Sequence, residues 1–194
     1  VFAPATVANV GCGFDVLGFA LEQPGDEVTL KKIEGTEIII KKMIGAEDLP
    51  THPDKNVAGV AIKTMLQDMG VEQGLEITIK KGIKAGSGIG SSAASSAGAV
   101  AALNKLLKAG YSDVELVKFA MEGERLASGT AHADNVAPAL CGGFTLVRSY
   151  SPLDIIKLNT PSDLYATVVH PQIEVKTSDA RKVLRISVPL KKAV

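Results

Sequence analysis

The chain has 194 residues, enough for one substantial domain or for one domain and part of a second. Hydrophobic residues make up 46% of the sequence, which is ample for a buried core, and 21 basic residues balance 21 acidic ones. Because the net charge is zero and aromatic residues reach only 4%, the composition argues against a nucleic-acid surface and against an anionic membrane partner. The apolar runs are too short for a transmembrane helix.

The first part of the chain is typical of β-structure. Phe2–Val10 is predicted to form a strand with polar interruptions. Alternating apolar residues predict two further strands, Glu27–Ile33 and Thr36–Met43. Since these two strands are joined at Glu34-Gly35, we expect them to form a hairpin.

The middle of the chain predicts two helices separated by a strand. Asn56 is suited to be the N-cap of a helix that runs to about Met69, and Gly70 ends that helix. Leu75–Ile83 alternates and predicts a strand. A glycine-rich stretch follows, and the Ala-rich segment from Ser91 to about Lys108 then predicts a long helix.

A third predicted helix, from Ser112 to about Ala127, carries an acidic residue on its apolar face. Ser112 and Glu115 form a capping box at its start. With about 100° between successive residues, Glu124 falls on the apolar side, whereas Glu122 falls on the solvated side. A buried carboxylate is unfavourable unless it has a cation. Glu124 therefore either pairs with a buried Lys or Arg or holds a metal near the glycine-rich stretch.

The last part of the chain predicts two strands and a helix. The strands are Phe144–Arg148, which follows Gly142-Gly143, and Leu164–Val169. The helix is Thr177–Leu184, with Thr177 or Ser178 as its cap.

The two cysteines, Cys12 and Cys141, fit neither a disulfide framework nor a zinc site. We predict that both are reduced and buried, as in a cytoplasmic protein.

The glycine-rich stretch has the composition of a phosphate site. Gly86, Gly88 and Gly90 alternate with small residues and lead directly into a predicted helix, whose N-terminus offers unpaired N–H groups and a positive dipole end. The spacing is neither that of a P-loop nor that of a dinucleotide fingerprint. The hydroxyls of Ser91 and Ser92 can bind phosphate or Mg²⁺. A small-residue helix start that packs closely on a sheet would produce the same glycine pattern.

The longer string Gly86-Ser-Gly-Ile-Gly-Ser-Ser-Ala-Ala-Ser95 closely resembles the second motif of the GHMP small-molecule kinases, with Ile89 in place of the usual Leu and Lys84 near the usual Pro. Four other stretches match the family in order along the chain: Pro4–Gly18, Pro53–Asn56, His132–Asn135 and Thr177–Arg181. The opening stretch and the string His-Ala-Asp-Asn are most similar to the branch that phosphorylates L-homoserine.

This resemblance implies an α+β fold. Residues 1–150 would form a ribosomal-protein-S5-domain-2-like N-terminal domain that binds ATP. Residues 151–194 would begin a ferredoxin-like C-terminal domain, with the boundary at Tyr150-Ser-Pro152. The family carries a third glycine motif of the type Ser-Gly-x-Gly-Pro, which this sequence lacks. We therefore expect a truncated second domain.

The resemblance also implies a nucleotide site. Asn56 would contact the adenine end of ATP, and Ser92 and Glu124 would hold Mg²⁺. The residues that would wrap the phosphates are Lys84, Ala85, Gly86, Ser87, Gly88, Ile89, Gly90, Ser91, Ser92, Ala93 and Ser95.

The residues that the resemblance assigns to the amino-acid substrate are Asn9, Asp15, His132, Asn135 and Arg181. Asp15 can accept hydrogen bonds from an ammonium group, Arg181 can clamp a carboxylate, and Asn135 can orient the attacking hydroxyl. Asn135 and Glu124 are the expected catalytic residues. Each residue alone also fits a structural role, such as a turn, an N-cap or a solvated helix position, so the assignment depends on their occurring together in order.

The function that these motifs imply is transfer of a phosphoryl group from Mg·ATP to L-homoserine, which gives O-phospho-L-homoserine for threonine biosynthesis. We expect a cytoplasmic enzyme, a homodimer by family resemblance, with no nucleic-acid or membrane partner. Two alternatives stay open: a GHMP-type kinase that acts on a different small alcohol, and a non-catalytic nucleotide-binding relative.

Overall fold

The computed structural model describes residues 1–169 and the isolated positions 183, 187 and 189. The strands in this part of the chain are β1 (Phe2–Ala8), β2 (Leu17–Ile33), β3 (Ile38–Ile44), β4 (Gly74–Lys80), β5 (Phe144–Tyr150) and β6 (Leu153–Leu158). The helices are α1 (Val57–Met69), α2 (Ser91–Leu107), α3 (Asp113–Ser128) and α4 (Val136–Cys141), and Pro53–Lys55 forms a single 3₁₀ turn.

One mixed sheet organises the described residues, with the strand order β3-β4-β2-β5-β6 and with β1 also paired to β2. The long strand β2 is its centre, because it pairs antiparallel with β1, β4 and β5. Where β2 meets β5, the rings of Phe19 and Phe144 stack with their centroids 4.6 Å apart. The α+β class that we predicted is confirmed.

The predicted hairpin between the second and third strands is wrong. Strand β4 lies between β2 and β3, and β3 pairs with β4 in parallel. Such a pair needs a crossover connection, which α1 provides. The arrangement follows from burial: Leu75, Ile77 and Ile79 of β4 are fully buried, whereas β3 carries exposed Lys41 and Lys42 and suits a sheet edge.

All three helix predictions before residue 130 are confirmed. Helix α1 begins at Asn56, whose Oδ1 accepts the Ala58 N–H at 3.0 Å, and it ends at Gly70 with φ of 63°. Helix α2 begins at Gly90, and α3 begins with the predicted capping box between Ser112 and Glu115. No helix within residues 1–169 is both long and apolar enough to cross a bilayer.

The main core lies between α1, α2, α3 and one face of the sheet. Burial of these side chains is the main favourable contribution to the folding free energy. The largest fully buried side chains in this core are Ile62, Met65, Leu75, Ile77, Ile79, Leu103, Leu116 and Phe119.

The predicted strand Leu164–Val169 is wrong, and β6 was missed. Residues 164–169 have no regular structure, and Tyr165 and Val169 are 90% and 83% exposed. Strand β6 pairs antiparallel with β5, so the expected boundary at Tyr150-Ser-Pro152 falls in the turn between two strands of one sheet. The sheet therefore continues to Leu158, and the division into two domains stays a prediction.

Two further predictions concern the helix Thr177–Leu184 and Arg181, and, apart from Val183, these residues lie outside the described part of the chain.

The cysteine prediction is partly wrong. Both cysteines are unpaired, as expected, but Cys12 is exposed and Cys141 is only partly buried. Cys12 occupies the turn between Gly11 and Gly13, where the backbone runs along the surface.

A buried ion pair connects the sheet to the start of α2. Asp26 of β2 and Lys81, the residue after β4, pair with side chains that are 0% and 3% exposed. Asp26 also accepts the backbone N–H groups of Gly82 and Ile83 at 3.0 and 3.2 Å. Lys81 Nζ donates to the Ser91 carbonyl at 2.8 Å, so both ends of the glycine-rich stretch are tied to one pair of charges.

We expect Asp26→Asn to lower the free energy of unfolding by about 3–5 kcal/mol, because it leaves the Lys81 ammonium buried without a counter-charge. Urea denaturation measures this loss. The matched control is Glu27→Gln at the next position, which removes an exposed ion pair with Lys80 and should leave stability nearly unchanged. Equal losses in the two variants would contradict the role given to the buried pair.

Candidate active site

A cleft of about 420 Å³ opens at the N-terminus of α2. Its walls come from five separate parts of the chain: the end of β1 and the following loop, the segment before α1, the segment from Lys81 through the glycine-rich stretch to the start of α2, the end of α3, and the turn before α4. The polar and glycine residues that line it are Asn9, Asp15, Lys55, Asn56, Lys81, Gly86, Gly88, Gly90, Ser91, Ser92, Ser95, Glu124, Ser128, His132, Asp134 and Asn135.

The glycine-rich stretch presents an uncapped helix N-terminus to this cleft. Gly86, Gly88 and Gly90 have φ of 73°, 76° and 69°, a region that L side chains rarely adopt. Gly90 is the N-cap of α2, and no side chain among residues 1–169 caps the first turn. Backbone N–H groups and the positive end of the helix dipole therefore face the cleft, as an anion requires.

Glycine is required at residue 90 for a second reason: side chains from β1 and from the turn before α4 approach its backbone closely. A Cβ atom at this position would stand 2.1 Å from Thr6 Oγ1 and 3.1 Å from Asn135 Oδ1. Thr6 donates to Asn135 Oδ1 at 2.8 Å directly across this glycine. The absence of a side chain at residue 90 thus lets the helix start, β1 and the turn before α4 meet at one point.

Glu124 of α3 lies beside the start of α2, and it is buried, as its place on the apolar face of α3 predicted. It is 9% exposed, and burial raises the pKa of its carboxyl to about 7, although a hydrogen bond with the Ser92 hydroxyl opposes this shift. Its Oε1 has no hydrogen-bond partner among the described residues. A buried, unpartnered carboxylate oxygen beside a serine hydroxyl is a donor set that suits Mg²⁺, which prefers oxygen ligands.

Lys81 and Asp26 were missed by the sequence analysis. Lys81 lines the cleft with its ammonium bonded to Asp26 and to Ser95 Oγ, the latter at 2.9 Å. Burial lowers the pKa of Lys81, and the charges of Asp26 and Glu124 oppose that shift. A lysine at the end of an alternating strand ordinarily projects into solvent. Only the position of Lys81 directly before the glycine-rich stretch could have indicated that it lines the cleft.

On the other side of the cleft, Asn9 and Asp15 both adopt left-handed backbone conformations, with φ of 60° and 61°. The Asp15 N–H donates to Asn9 Oδ1 at 2.8 Å, which closes the loop between them. His132 Nδ1 lies 3.6 Å from Asp15 Oδ1. The structure therefore brings together three of the residues that were predicted to hold an amino acid.

Asn135 and Asp134 complete this side. Because Asn135 Oδ1 accepts the Thr6 hydroxyl, its amide nitrogen is left as a donor toward the cleft. Asp134 is 4% exposed, and burial raises the pKa of its carboxyl, while His132 opposes the shift.

Asn56 lines the cleft, but both ends of its side chain make internal hydrogen bonds. Its Oδ1 caps α1, and its Nδ2 donates to the Pro50 carbonyl at 2.7 Å. It therefore fixes the wall of the cleft where the segment before α1 meets the helix.

Four residues of the predicted phosphate set do not line the cleft: Lys84, Ser87, Ile89 and Ala93. Lys84 is exposed, and the Ile89 side chain packs against a small second core formed by Ala3, Ala5, Ile83 and Ala94. The stretch consists of turns and bends, with glycines at positive φ, so its successive side chains face different directions and only some of them line the cleft.

Comparison with known proteins shows which family the residues around this cleft resemble. Residues 56–143, which include the glycine-rich stretch and Glu124, match the family model described as GHMP kinases N terminal domain. This part of the chain therefore resembles the N-terminal domain of GHMP kinases. Over its whole length it is similar to homoserine kinases, and it is 49% identical to that of Chloroherpeton thalassium, covering 100% of this chain and 64% of the relative.

Solved structures agree with this assignment. A homoserine kinase from Cytophaga hutchinsonii superposes with a TM-score of 0.94 at 52% identity, over 99% of this chain and 61% of that one. A mevalonate kinase from Methanococcus jannaschii superposes with a TM-score of 0.65 at 20% identity, over 82% and 55%, and shows the shared fold alone. The chain thus spans less than two thirds of the length of the homoserine kinases that it matches.

We expect Gly90→Ala to destabilise the protein by about 1–3 kcal/mol more than Gly88→Ala, because the added methyl group must displace Thr6. Both variants place alanine at a positive φ, but a Cβ at Gly88 would meet nothing within 4 Å. Urea denaturation of both variants measures the difference. Equal destabilisation would mean that backbone conformation, rather than close approach, selects glycine at residue 90.

Proposed function

We propose that the protein transfers the γ-phosphoryl group of ATP to the side-chain hydroxyl of L-homoserine, giving O-phospho-L-homoserine, a step in threonine biosynthesis. The observation that carries the proposal is one cleft with two chemically different sides. One side has an uncapped helix N-terminus with a buried carboxylate, and the other has Asn9, Asp15, His132 and Asn135. Relatives at 46–49% identity are named homoserine kinases.

The nucleotide would bind on the glycine side. The backbone of Gly86, Gly88 and Gly90 and the first turn of α2 would surround the phosphates, and Asn56 would order the wall next to the adenine. Ser92 and Glu124 would hold Mg²⁺, which would neutralise charge on the phosphate oxygens. The unpartnered Glu124 Oε1 supports this assignment.

The acceptor would bind on the opposite side. Asp15 would receive the ammonium group of homoserine, with Asn9 and His132 fixing its orientation. Arg181, which lies outside the described residues, would clamp the carboxylate. These assignments use a positive and a negative group on the substrate, so they favour an amino acid over a neutral sugar.

Asn135 would act by positioning rather than as a base. Its amide nitrogen is a donor, because Thr6 occupies its oxygen, and an amide does not take up a proton near neutral pH. Phosphoryl transfer has a loose transition state, so alignment and charge neutralisation supply most of the acceleration. Asp134 is buried beside Asn135 and would support this turn.

We further propose a cytoplasmic location, which the two unpaired cysteines and the use of ATP support. A homodimer stays a prediction from family resemblance.

The proposed activity is tested by ADP release from the full-length protein with Mg·ATP and L-homoserine, L-serine, mevalonate or galactose. We expect turnover with L-homoserine alone. Turnover with another alcohol would retain the kinase class and reject the substrate, and ATP binding without turnover would favour a non-catalytic relative.

The role of Glu124 is tested by Glu124→Gln. We expect kcat/KM for Mg·ATP to fall about 100-fold, because one Mg²⁺ ligand loses its charge. Thermal stability should stay equal or rise, since an unpaired buried carboxyl is replaced by a neutral amide. The matched control is Glu122→Gln on the same helix, whose carboxylate pairs with Arg125 at the surface. Unchanged turnover in Glu124→Gln would exclude Glu124 as the ligand.

A further inference from the structure

The conformation of Asp15 is held from several directions. Its backbone lies in the left-handed region, with φ of 61°, which is unfavourable for a residue other than glycine. The neighbouring Asn9 accepts its N–H at 2.8 Å, and His132 stands 3.6 Å from its carboxylate. A strained residue persists only where its surroundings determine its conformation, so each of these contacts matters for the direction in which the carboxylate points.

The carbonyl of Asp15 is bonded by a residue from a distant part of the chain. The Tyr150 hydroxyl donates to the Asp15 carbonyl oxygen at 2.8 Å. The same hydroxyl accepts the N–H of Ala133 at 3.2 Å. One phenolic oxygen therefore joins the loop that carries Asp15 to the turn that carries His132 and Asn135.

The ring of Tyr150 belongs to neither of the two buried cores. Tyr150 is 41% exposed and does not line the cleft. Its hydroxyl uses its proton on one loop and a lone pair on the other, which is the full pattern that a phenol can offer. The feature that phenylalanine could not supply is thus the pair of hydrogen bonds, and both of them end next to the acceptor side.

We propose that Tyr150 is a positioning residue for the acceptor, which sets the distance between Asp15 and the His132–Asn135 turn. The proposal rests on the proposed function, since it assumes that Asp15 receives the ammonium group of the substrate. Tyr150 acts through Asp15 and makes no contact with the nucleotide side. Its removal should therefore affect binding of the amino acid and spare binding of ATP.

The experiment compares Tyr150→Phe with Tyr111→Phe in the full-length protein. Tyr111 is a matched control, because its hydroxyl also makes a hydrogen bond, to Asp68 at 2.9 Å, but lies away from the cleft. We expect Tyr150→Phe to raise KM for L-homoserine about 5- to 30-fold, as expected for the loss of one or two hydrogen bonds, with KM for ATP unchanged. Tyr111→Phe should change neither constant.

A second readout does not depend on the substrate. Amide hydrogen exchange of Ala133 and Asp15 should become faster in Tyr150→Phe and stay unchanged in Tyr111→Phe. Equal effects on both KM values, or no effect on KM and exchange, would overturn the proposal. If the wild-type protein uses another alcohol, the proposed function fails by that result alone, and the same KM comparison with that alcohol then decides the role of Tyr150.

Discussion

The structure around the cleft depends on one buried ion pair between Asp26 and Lys81. Removing two charges from water is costly, and the pair is tolerable because almost every donor and acceptor in it has a partner. Asp26 accepts the N–H groups of residues 82 and 83, while Lys81 reaches the Ser91 carbonyl and the Ser95 hydroxyl. The pair therefore fixes where the glycine-rich stretch leaves the sheet and where it enters α2. Because the chain between these two points is short, few backbone conformations can connect them.

This anchoring decides the electrostatics of the glycine side of the cleft, where we propose that the nucleotide binds. With its N-terminus fixed and uncapped, α2 directs backbone N–H groups into the cleft, and Lys81 adds a positive charge whose protons are committed to protein acceptors. Glu124 faces them from α3 with a pKa raised to about 7. Backbone N–H groups beside a buried carboxyl of raised pKa suit a polyanion that arrives with a cation, because the cation favours the charged form of that carboxyl.

The side of the cleft that we propose for the acceptor is built differently, from loops that pack closely where glycine leaves no side chain between them. A Cβ at Gly18 would stand 2.0 Å from the Asp134 carbonyl oxygen, and one at Gly90 would stand 2.1 Å from Thr6 Oγ1. These two glycines let the turn before α4 pack directly on β2 and on the start of α2. Asn9 and Asp15 then reach the same cleft through left-handed backbone conformations. One part of the site is thus on the sheet and α2, and the part proposed to face the acceptor is on loops.

The sequence by itself determined the features that depend on local chemistry: the caps of α1 and α3, the glycine-rich start of α2 and the unusual place of Glu124 on an apolar face. Each of these is encoded within a few neighbouring residues. Only the tertiary structure decided the strand order, in which β4 separates β2 from β3, and the partners Asp26 with Lys81 and Thr6 with Asn135. Periodicity shows which face of a strand is buried but not which strand lies beside it, nor which residue neutralises a buried charge. Those pairings join residues far apart in the chain, and they exist only once the sheet has formed.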